Sequence, residues 1–516
     1  MKNPRIKKIL AAAMAVILFT MCFSACKGRD EAGEIVLNIY VDPHTQASFT
    51  FDPGIDYQGA NSLNIGVCET LFELNEDASG VIGVLATEQK MTSPTQWEIT
   101  IRDDVLFSNG KPLTAQKVKD ALEYELENLP RLQALLKVDS IEADGQLLRI
   151  NTTSFVAILP KFLTDTSLII FDTDEMDDLN HNIIGTGAFI IESCDDEGNS
   201  SSIRNADYWR GPAVADRVNC KVGLTDEAIT LALQSGELDW GTVQPTDITL
   251  FGDGYDLYQS DSNGRVYYLY FNQGYTFTAD EALREALFYA FDRDAIITGL
   301  YAGSCSAAYT IFPEYSSIYT GDVQPAFNAE TAKKILSDGG YKDTDGDGFV
   351  EKDGVKVLLK IVVYDANQFP KLAEALQDQL KKIGIDSDIK IAEAIMDELG
   401  TGNFNIATYG YNTLSFGDSY NYLQPVFSDN GTSNFVHFHS DAVEDALNLM
   451  ASEADPEQRS SLARKICDEI YAQKMHMYLV RVIKTTVVRS EITATEEIFG
   501  TRKNIGLHLY AIGKEK

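Results

Sequence analysis

The sequence predicts an α/β protein of two or three domains, and three observations carry that prediction. The chain has 516 residues, which is too many for one ordinary hydrophobic core. Apolar residues make up 44% of it and aromatic residues 10%, enough for packed interiors and too many for a disordered chain. In the second half, a β-rich run at Leu358–Tyr364 precedes a helical pattern at Gln368–Ile383, and Gly384-Ile385 leads into another strand. This strand–helix–strand alternation indicates an α/β unit with a largely parallel sheet.

The charge of the chain excludes one class of partner. Acidic residues number 77 and basic residues 43, so the formal net charge is −34 at pH 7. Because no segment concentrates Lys and Arg to neutralise phosphates, we expect no nucleic-acid partner. This acidity keeps a protein soluble, and we expect the chain to be a monomer.

The N-terminus predicts export. Four basic residues precede an apolar run at Ile9–Met21: Lys2, Arg5, Lys7 and Lys8. Phe23-Ser24-Ala25-Cys26 then closes the run with small residues, an ending that resembles a bacterial lipobox. We therefore predict a lipoprotein signal peptide at residues 1–25, lipidation at Cys26, and a polar tether at residues 26–33. An uncleaved anchor helix is the alternative, although the run is short for a membrane span.

A strand, a turn and a helix follow one another in the stretch Trp97–Leu122. Trp97, Ile99 and Ile101 alternate with polar residues, as in a half-buried strand. Ser108-Asn109-Gly110 then supplies a turn signal, since these residues tolerate left-handed backbone. Thr114 is a predicted N-cap, because apolar residues at helical spacing come directly after it.

Similar patterns place the other elements along the chain. Predicted strands share short apolar or alternating runs: Glu34–Val41, Ser140–Ala143, Gln146–Asn151, Ala188–Glu192, Val266–Asn272, Lys484–Arg489 and Asn504–Tyr510. Predicted helices share apolar residues at helical spacing: Asn64–Leu74, Phe155–Leu163, Thr225–Gly236 and Arg284–Arg293. No internal repeat or low-complexity segment accompanies them.

Several of these segments together resemble a known family. The string "W-x-I-x-I-R-x-x-V-x-F-S-N-G-x-P-L-T-A-x-x-V", which begins at Trp97, is similar to the signature of the peptide/nickel family of ABC-transporter solute-binding proteins. Further segments resemble the family in its order along the chain: CETLFELNED from Cys68, GTGAF from Gly185, RNADYW from Arg204, QSGELD from Gln234 and REALFYAFDR from Arg284. The resemblance extends over about residues 35–495.

The resemblance implies an architecture and a function. It implies a two-lobed periplasmic-binding-protein-like α/β fold with an extra subdomain in lobe I and a ligand cleft between the lobes. The expected division is lobe I at 34–265 with a subdomain at about 64–175, lobe II at 266–486, and a return to lobe I at 487–516. It also implies a protein without cofactor or enzymatic activity, which captures a small peptide-like solute and delivers it to an ABC permease. Nickel bound as a chelate is the alternative ligand.

The segment Gly410–Phe427 is the most ligand-like part of the chain. Four aromatic residues there, Tyr411, Phe416, Tyr420 and Tyr422, surround one carboxylate, Asp418, as is typical of a small-molecule cleft. In the family, the matching loop contributes ligand contacts, and in peptide-binding members its first Asp pairs with the peptide amine. With Asp418 aligned to the second Asp, the first falls at Ser415. Our predicted ligand contacts are Tyr411, Phe416, Asp418, Tyr420 and His44, although the aromatic residues could also be packed core.

Arg131 is a further predicted contact. The string LENLPRLQALL is similar to a segment of the nickel-binding branch, in which an Arg holds the carboxylates of the metal chelate. A guanidinium suits carboxylates because it can bind them with two parallel hydrogen bonds. The His and Trp of that segment are Leu132 and Ala134 here, and a plain surface arginine is the alternative interpretation of Arg131.

Other possible chemistry has weaker support. His437 and His439 would share one side of a strand and could bind a metal, but such a pair is more often an exposed strand face. Asp343–Gly348 copies the first half of a calcium loop, but its twelfth position, Gly354, lacks the required carboxylate. Five cysteines (Cys68, Cys194, Cys220, Cys305 and Cys467) have no metal-ligand spacing, and the sequence leaves a disulfide among them open.

An enzymatic function finds no motif in the sequence. The chain contains no nucleophile elbow, zinc-protease motif, P-loop or dinucleotide fingerprint. An exported hydrolase or a sensor subunit is the alternative of a different class.

Overall fold

The structure is a computed structural model that describes residues 33–42, 49–55, 57–76, 78–319, 321, 323–365, 368–493, 496–499 and 503–515, without the side chains of 261–263 and 496–497. The predicted signal peptide, all of the tether but its last residue, Cys26 and His44 lie outside these residues. No helix within the described part of the chain has the length and apolar character that crossing a membrane requires.

Nineteen strands and fifteen helices are formed by the described residues. The strands are β1 Val36–Tyr40, β2 Phe72–Leu74, β3 Val81–Gly83, β4 Ala86–Ser93, β5 Gln96–Ile101, β6 Val138–Asp144, β7 Leu147–Thr152, β8 Phe189–Cys194, β9 Ser200–Arg204, β10 Arg217–Lys221, β11 Trp240–Thr242, β12 Tyr255–Phe271, β13 Cys305–Ala307, β14 Glu351–Lys352, β15 Val355–Lys356, β16 Leu358–Tyr364, β17 Asp386–Ala392, β18 Ile406–Asn412 and β19 His476–Arg489. The helices are α1 Gly59–Asn64, α2 Ala115–Asn128, α3 Pro130–Leu136, α4 Leu159–Phe162, α5 Asp226–Ser235, α6 Glu281–Ala290, α7 Arg293–Tyr301, α8 Ala329–Asp338, α9 Phe369–Lys382, α10 Ile395–Gly400, α11 Tyr420–Phe427, α12 Asp441–Met450, α13 Pro456–Gln473, α14 Glu496–Phe499 and α15 Ile505–His508.

Lobe I is built on two four-stranded sheets that share one apolar core. The first sheet has the strand order β1-β10-β9-β8, and its β1–β10 pair is parallel. The second sheet, β4-β5-β7-β6, is antiparallel and carries α2 against it. As the sequence predicts, Trp97, Ile99 and Ile101 of β5 are buried, and the Thr114 hydroxyl caps α2 by accepting a hydrogen bond from the Lys117 backbone N–H at 3.3 Å.

Lobe II is built on a mixed seven-stranded sheet that continues into lobe I, with the strand order β11-β19-β12-β18-β16-β17 and with β13 paired to β19. Along β12, Tyr268 and Tyr270 belong to one apolar cluster, whereas Leu269 and Phe271 belong to another. Because side chains alternate between the two faces of a strand, this sheet is buried on both sides.

Two long strands join the lobes. β12 has 17 residues and β19 has 14, and they pair antiparallel from Tyr255↔Arg489 in lobe I to Tyr270↔His476 in lobe II. The sequence predicted only Val266–Asn272 and Lys484–Arg489 as strands, which are the lobe II end of one strand and the lobe I end of the other.

Some predicted elements are wrong. The predicted helix Asn64–Leu74 begins where α1 ends, because Gly66 takes a left-handed φ of +72° and Phe72 then enters β2. The predicted strand Asn504–Tyr510 is α15 followed by a short 3-10 turn. The sheet of lobe II is parallel only among β16, β17 and β18, since its other pairs are antiparallel.

Candidate functional site

A cavity of about 350 Å³ lies between the two lobes. Lobe I contributes the segment Ala78–Val81, Trp97 and Lys161 to its walls, while lobe II contributes residues around Gly417 and the start of α13. Because its walls come from both lobes, this cavity closes only when the lobes approach each other.

Direct contacts join the lobes beside this cavity. The Lys161 ammonium, on lobe I, donates hydrogen bonds to the Ala78 and Gly417 carbonyl oxygens at 3.0 Å each. The Phe162 and Phe416 rings pack edge to face with their centroids 5.4 Å apart. Gly417 has a φ of +59°, and a Cβ there would overlap the Ala78 carbonyl oxygen. A side chain at position 417 is thus incompatible with this contact between the lobes.

Asp418 lines the cavity as part of a buried ion pair. Arg459 donates from its Nε and Nη2 atoms to the Asp418 carboxylate at 2.9–3.0 Å, and both side chains are more than nine-tenths buried. The Tyr420 backbone N–H adds a hydrogen bond of 2.9 Å to Asp418 Oδ1. The pair connects the loop before α11, which contains Asp418, to α13, which contains Arg459. Arg459 also donates to the carbonyl oxygens of Met450 and Glu453, so it holds the end of α12 as well.

The predicted aromatic contacts occupy different positions around this loop. Tyr411, near the end of β18, is half-buried and packs on Tyr409 and Tyr422, with centroids 6.0 and 5.1 Å away. Tyr420 is also half-buried, and its ring centroid lies 5.9 Å from the Arg459 guanidinium carbon. Of the three predicted aromatic residues, only Phe416 packs across the two lobes.

Arg131 lies on α3 in lobe I and does not line the cavity between the lobes. Its Nη1 donates to Asp165 Oδ2 at 2.8 Å, and its Nη2 donates to the Ser167 hydroxyl at 3.1 Å. Its guanidinium carbon is 4.5 Å from the Tyr57 ring centroid. The structure therefore holds the guanidinium in a fixed orientation but does not bring it to the cavity at Asp418.

His437 and His439 lie in a loop between α11 and α12, so the strand predicted for them is wrong. His437 has a left-handed φ of +55°, and the Asn434 side chain accepts a hydrogen bond from the Phe438 backbone N–H, which makes a turn. His439 Nδ1 lies 2.8 Å from Asp429 Oδ1, and this hydrogen bond raises the pKa of His439. Both rings are exposed.

The described residues contain a single group of three or more side chains of metal-ligand type: Asp343, Asp345, Asp347 and Glu351. Backbone N–H groups of the same loop donate to the aspartates, and Thr344 donates to Glu351. Lys356 pairs with Asp347 at 3.0 Å. These bonds form the polar Asp/Gly turn that the sequence favours over a calcium loop at this segment.

The five cysteines within the described residues are all unpaired. Cys194 of β8 and Cys220 of β10 both face Ser200 of β9, which lies between them. Two strand spacings separate these cysteines by roughly 10 Å, which is too far for a disulfide.

A second, larger cavity of about 680 Å³ lies beside the end of β1, the short strand β11 and the part of β19 that pairs with β11. Its lining includes Tyr40, Asp42, Asp226, Trp240 and Lys484. None of these residues carries a signal of a site in the sequence, and Lys484 in particular looks like part of an ordinary strand.

Residues that carry the family resemblance converge on a buried carboxylate in lobe I. Glu69 accepts hydrogen bonds from the Tyr208 hydroxyl at 2.9 Å, the Trp209 indole at 3.0 Å and the Thr186 hydroxyl at 2.9 Å. Burial raises the pKa of Glu69, although these donors and the charge of Arg210 act in the opposite direction. Three separate motifs therefore serve one structural contact.

The Trp97–Leu122 stretch has a similar structural role. Asn109 of its turn and Lys111 donate to the buried Asp172 carboxylate at 2.9 and 2.8 Å, and Lys117 of α2 adds a third bond. Burial alone would raise the pKa of Asp172, but these three hydrogen bonds outweigh it and hold the pKa below its ordinary value. The most recognisable string of the sequence thus stabilises the scaffold.

Comparison with known proteins agrees with this architecture. Residues 80–434 match the family described as "Bacterial extracellular solute-binding proteins, family 5 Middle". The nickel-binding protein NikA of Staphylococcus aureus is 26% identical over 467 residues, covering 90% of each chain. The oligopeptide-binding protein AppA of Bacillus subtilis is 26% identical over 517 aligned positions, covering 92% of this chain and 93% of AppA. The crystal structure of a nickel ABC transporter from Bacillus halodurans matches with a TM-score of 0.80 at 24% identity, covering 92% of this chain and 98% of that one.

Proposed function

The chain belongs to the bacterial extracellular solute-binding proteins of family 5, and on that premise we propose that it captures a peptide-like solute between its lobes for an ABC importer. The observation that carries the proposal is the cavity between two lobes joined by the long strands β12 and β19. A site enclosed by two hinged bodies binds when they close and releases when they open. We assign lobe I to residues 34–265 and 487–516, with its subdomain at about 64–175, and lobe II to residues 266–486.

The proposed location follows from the N-terminus. Lipidation at Cys26 after removal of residues 1–25 would hold the protein on the outer side of the cell membrane. The partner there would be the permease subunits of the importer, which receive the solute.

Nickel bound through a small organic chelator is the second proposed ligand. The similarity to the nickel-binding protein NikA supports it, just as the similarity to the oligopeptide-binding protein AppA supports a peptide. The proposed contact for a chelate is Arg131, whose guanidinium Asp165, Ser167 and Tyr57 hold beside α3, outside the cavity at Asp418. A fixed guanidinium binds carboxylates with little loss of side-chain entropy.

A thermal-shift screen tests the proposal. A ligand that binds only the folded protein adds about 2.7 kcal/mol to the free energy of unfolding when its concentration is a hundredfold above Kd, and it therefore raises the melting temperature. We expect stabilisation by short peptides, or by nickel with L-histidine if the second ligand is correct. Recovery of the stabilising ligand unchanged, checked by mass spectrometry, is expected of a binding protein, and its turnover would contradict the proposed function.

Two variants test the proposed contacts. Asp418→Asn keeps the shape of the side chain, and Arg131→Met keeps most of its length. We expect either change to reduce the thermal shift, while Asp378→Asn, at an exposed position of α9, leaves it unchanged. A full shift in both variants would remove Asp418 and Arg131 from the site.

A further inference from the structure

The larger cavity has the size and position of a binding site. Its 680 Å³ lies within the range of small-molecule sites, and Trp240, Ile39 and Val243 supply an apolar part of its wall. Polar groups lie beside them, namely the Thr242 and Thr486 side chains. The cavity could therefore hold a small solute with both apolar and polar parts.

One lysine lines this cavity. Lys484 of β19 is surrounded by protein, yet its side chain is exposed to the space of the cavity. Among the described residues, no group forms a hydrogen bond or an ion pair with its ammonium, whereas Lys111, Lys117, Lys161 and Lys514 all have such partners. Desolvation lowers the pKa of Lys484, and only the charge of Asp42 acts in the opposite direction. A partly desolvated ammonium without a partner favours the approach of an anion.

Part of the wall of the same cavity is acidic. Asp42 follows β1, and Asp226 and Glu227 form the first turn of α5. Burial and the charges of Asp42 and Asp226 raise the pKa of Tyr40, which lies beside them, to about 12. The Gln244 amide donates to Asp226 at 2.8 Å. Three carboxylates and one ammonium therefore face the same space.

This charge distribution selects among ligands. The three carboxylates repel a solute that carries only negative charge, whereas a purely cationic solute leaves Lys484 without a counterion. A solute with an anionic and a cationic group satisfies both parts of the wall at once. We propose that Lys484 binds a carboxylate of the transported solute while the acidic part of the wall binds its positive group, so that the protein selects zwitterions.

This inference rests on the proposed function and adds the ligand chemistry to it. The carboxylate could be the C-terminus of a short peptide or the carboxylate of an amino acid that chelates nickel. Both sources present the same group to Lys484. The probes must therefore separate the two sources.

Calorimetric titration with two pairs of probes makes the separation. Trialanine is compared with trialanine amide, which lacks the terminal carboxylate, and nickel with L-histidine is compared with nickel with imidazole. The variants are Lys484→Met, which removes the charge, and Lys484→Arg, which keeps it. Lys465→Met is the matched control, because Lys465 is exposed on α13 in lobe II. Circular dichroism checks that each variant folds.

We expect the carboxylate-bearing member of one pair to bind the wild-type protein. Its affinity should fall roughly ten- to a hundredfold in Lys484→Met, as is typical for loss of a hydrogen bond to a charged group. It should fall much less in Lys484→Arg and stay unchanged in Lys465→Met. The pair that responds identifies the source of the carboxylate.

Two results would overturn the inference, and they differ in what they say of the proposed function. If a probe binds equally with and without its carboxylate, or equally to wild type and Lys484→Met, the inference fails and the binding function stands. If none of the four probes binds the wild-type protein, the proposed function fails for both ligand classes and the inference fails with it.

Discussion

Substitution of Gly417 by alanine should weaken ligand binding through the contact between the lobes. Gly417 lies in lobe II, and the atom that an added Cβ would overlap is the carbonyl oxygen of Ala78 in lobe I. The overlap therefore exists only when the lobes touch. The left-handed φ of +59° is a second cost of the substitution, but it is present whether or not the lobes touch.

The size of the effect follows from these two costs. A non-glycine residue at positive φ costs roughly 1 kcal/mol in either arrangement, so this term cancels in the equilibrium between them. Relief of the overlap requires Ala78 and Gly417 to separate, which weakens the hydrogen bond that the charged Lys161 of lobe I donates to Gly417, worth about 1.5–3 kcal/mol. A net loss of about 2 kcal/mol from the closed arrangement lowers the apparent affinity roughly thirtyfold, because binding requires closure.

Titration calorimetry measures this affinity, and small-angle X-ray scattering measures closure through the radius of gyration. The matched control is Gly402→Ala, since Gly402 is also in lobe II, has a φ of +66° and has open space where the Cβ would lie. We expect Gly402→Ala to bind like the wild-type protein and to contract equally with ligand. Equal affinities for the wild type and Gly417→Ala, or equal losses in both variants, would refute the argument.

Two predictions concern buried ionisable side chains in lobe II. Arg459→Met should lower the free energy of unfolding, measured by urea unfolding, by about 3–5 kcal/mol, because it leaves Asp418 buried without its counterion. The double variant Arg459→Met with Asp418→Asn should recover much of this loss. A cost below about 1 kcal/mol for Arg459→Met alone would contradict the role of the pair. Desolvation lowers the pKa of His476 to about 3 in the folded protein, whereas its pKa in the unfolded chain is about 6.5. Between these pH values the unfolded state binds more protons, so stability is lost as the pH falls through this window. Because phenylalanine does not titrate, the free energy of unfolding of His476→Phe minus that of the wild type should increase by about 2 kcal/mol when the pH is lowered from about 8 to about 5. An equal difference at both pH values would contradict this prediction.

Local patterns predicted those elements whose cause is local. The alternation from Trp97 to Ile101, the Asn109-Gly110 turn and the Thr114 cap each depend on neighbouring residues, and the structure confirms all of them. The helix predicted at Asn64–Leu74 failed because distant contacts decide this segment. Gly66 packs against Phe189 of β8 and Leu509 near the C-terminus, so the chain turns there.

The candidate site could be predicted only in part, for the same reason. The aromatic loop around Asp418 was visible as a local pattern, and the structure places Phe416 and Asp418 at the cavity between the lobes. The partners of this loop were not visible, because Arg459 lies 41 residues from Asp418 and Lys161 lies 256 residues from Gly417. No periodicity connects positions so far apart in the chain.

The strands that join the lobes place the proposed carboxylate site next to the hinge. The β12–β19 ladder pairs Asp261 with Ile483 and resumes at Val266 with Arg481, so four residues of β12 lie opposite one residue of β19. A strand bends most easily where its ladder is interrupted, because fewer hydrogen bonds resist the change. Lys484 lies one residue pair from the edge of this interruption, in the direction of lobe I. Gly417, in contrast, contacts lobe I from lobe II. A solute held by Lys484 therefore stabilises closure only through additional contacts with lobe II, which makes the second end of the solute the part that couples binding to delivery.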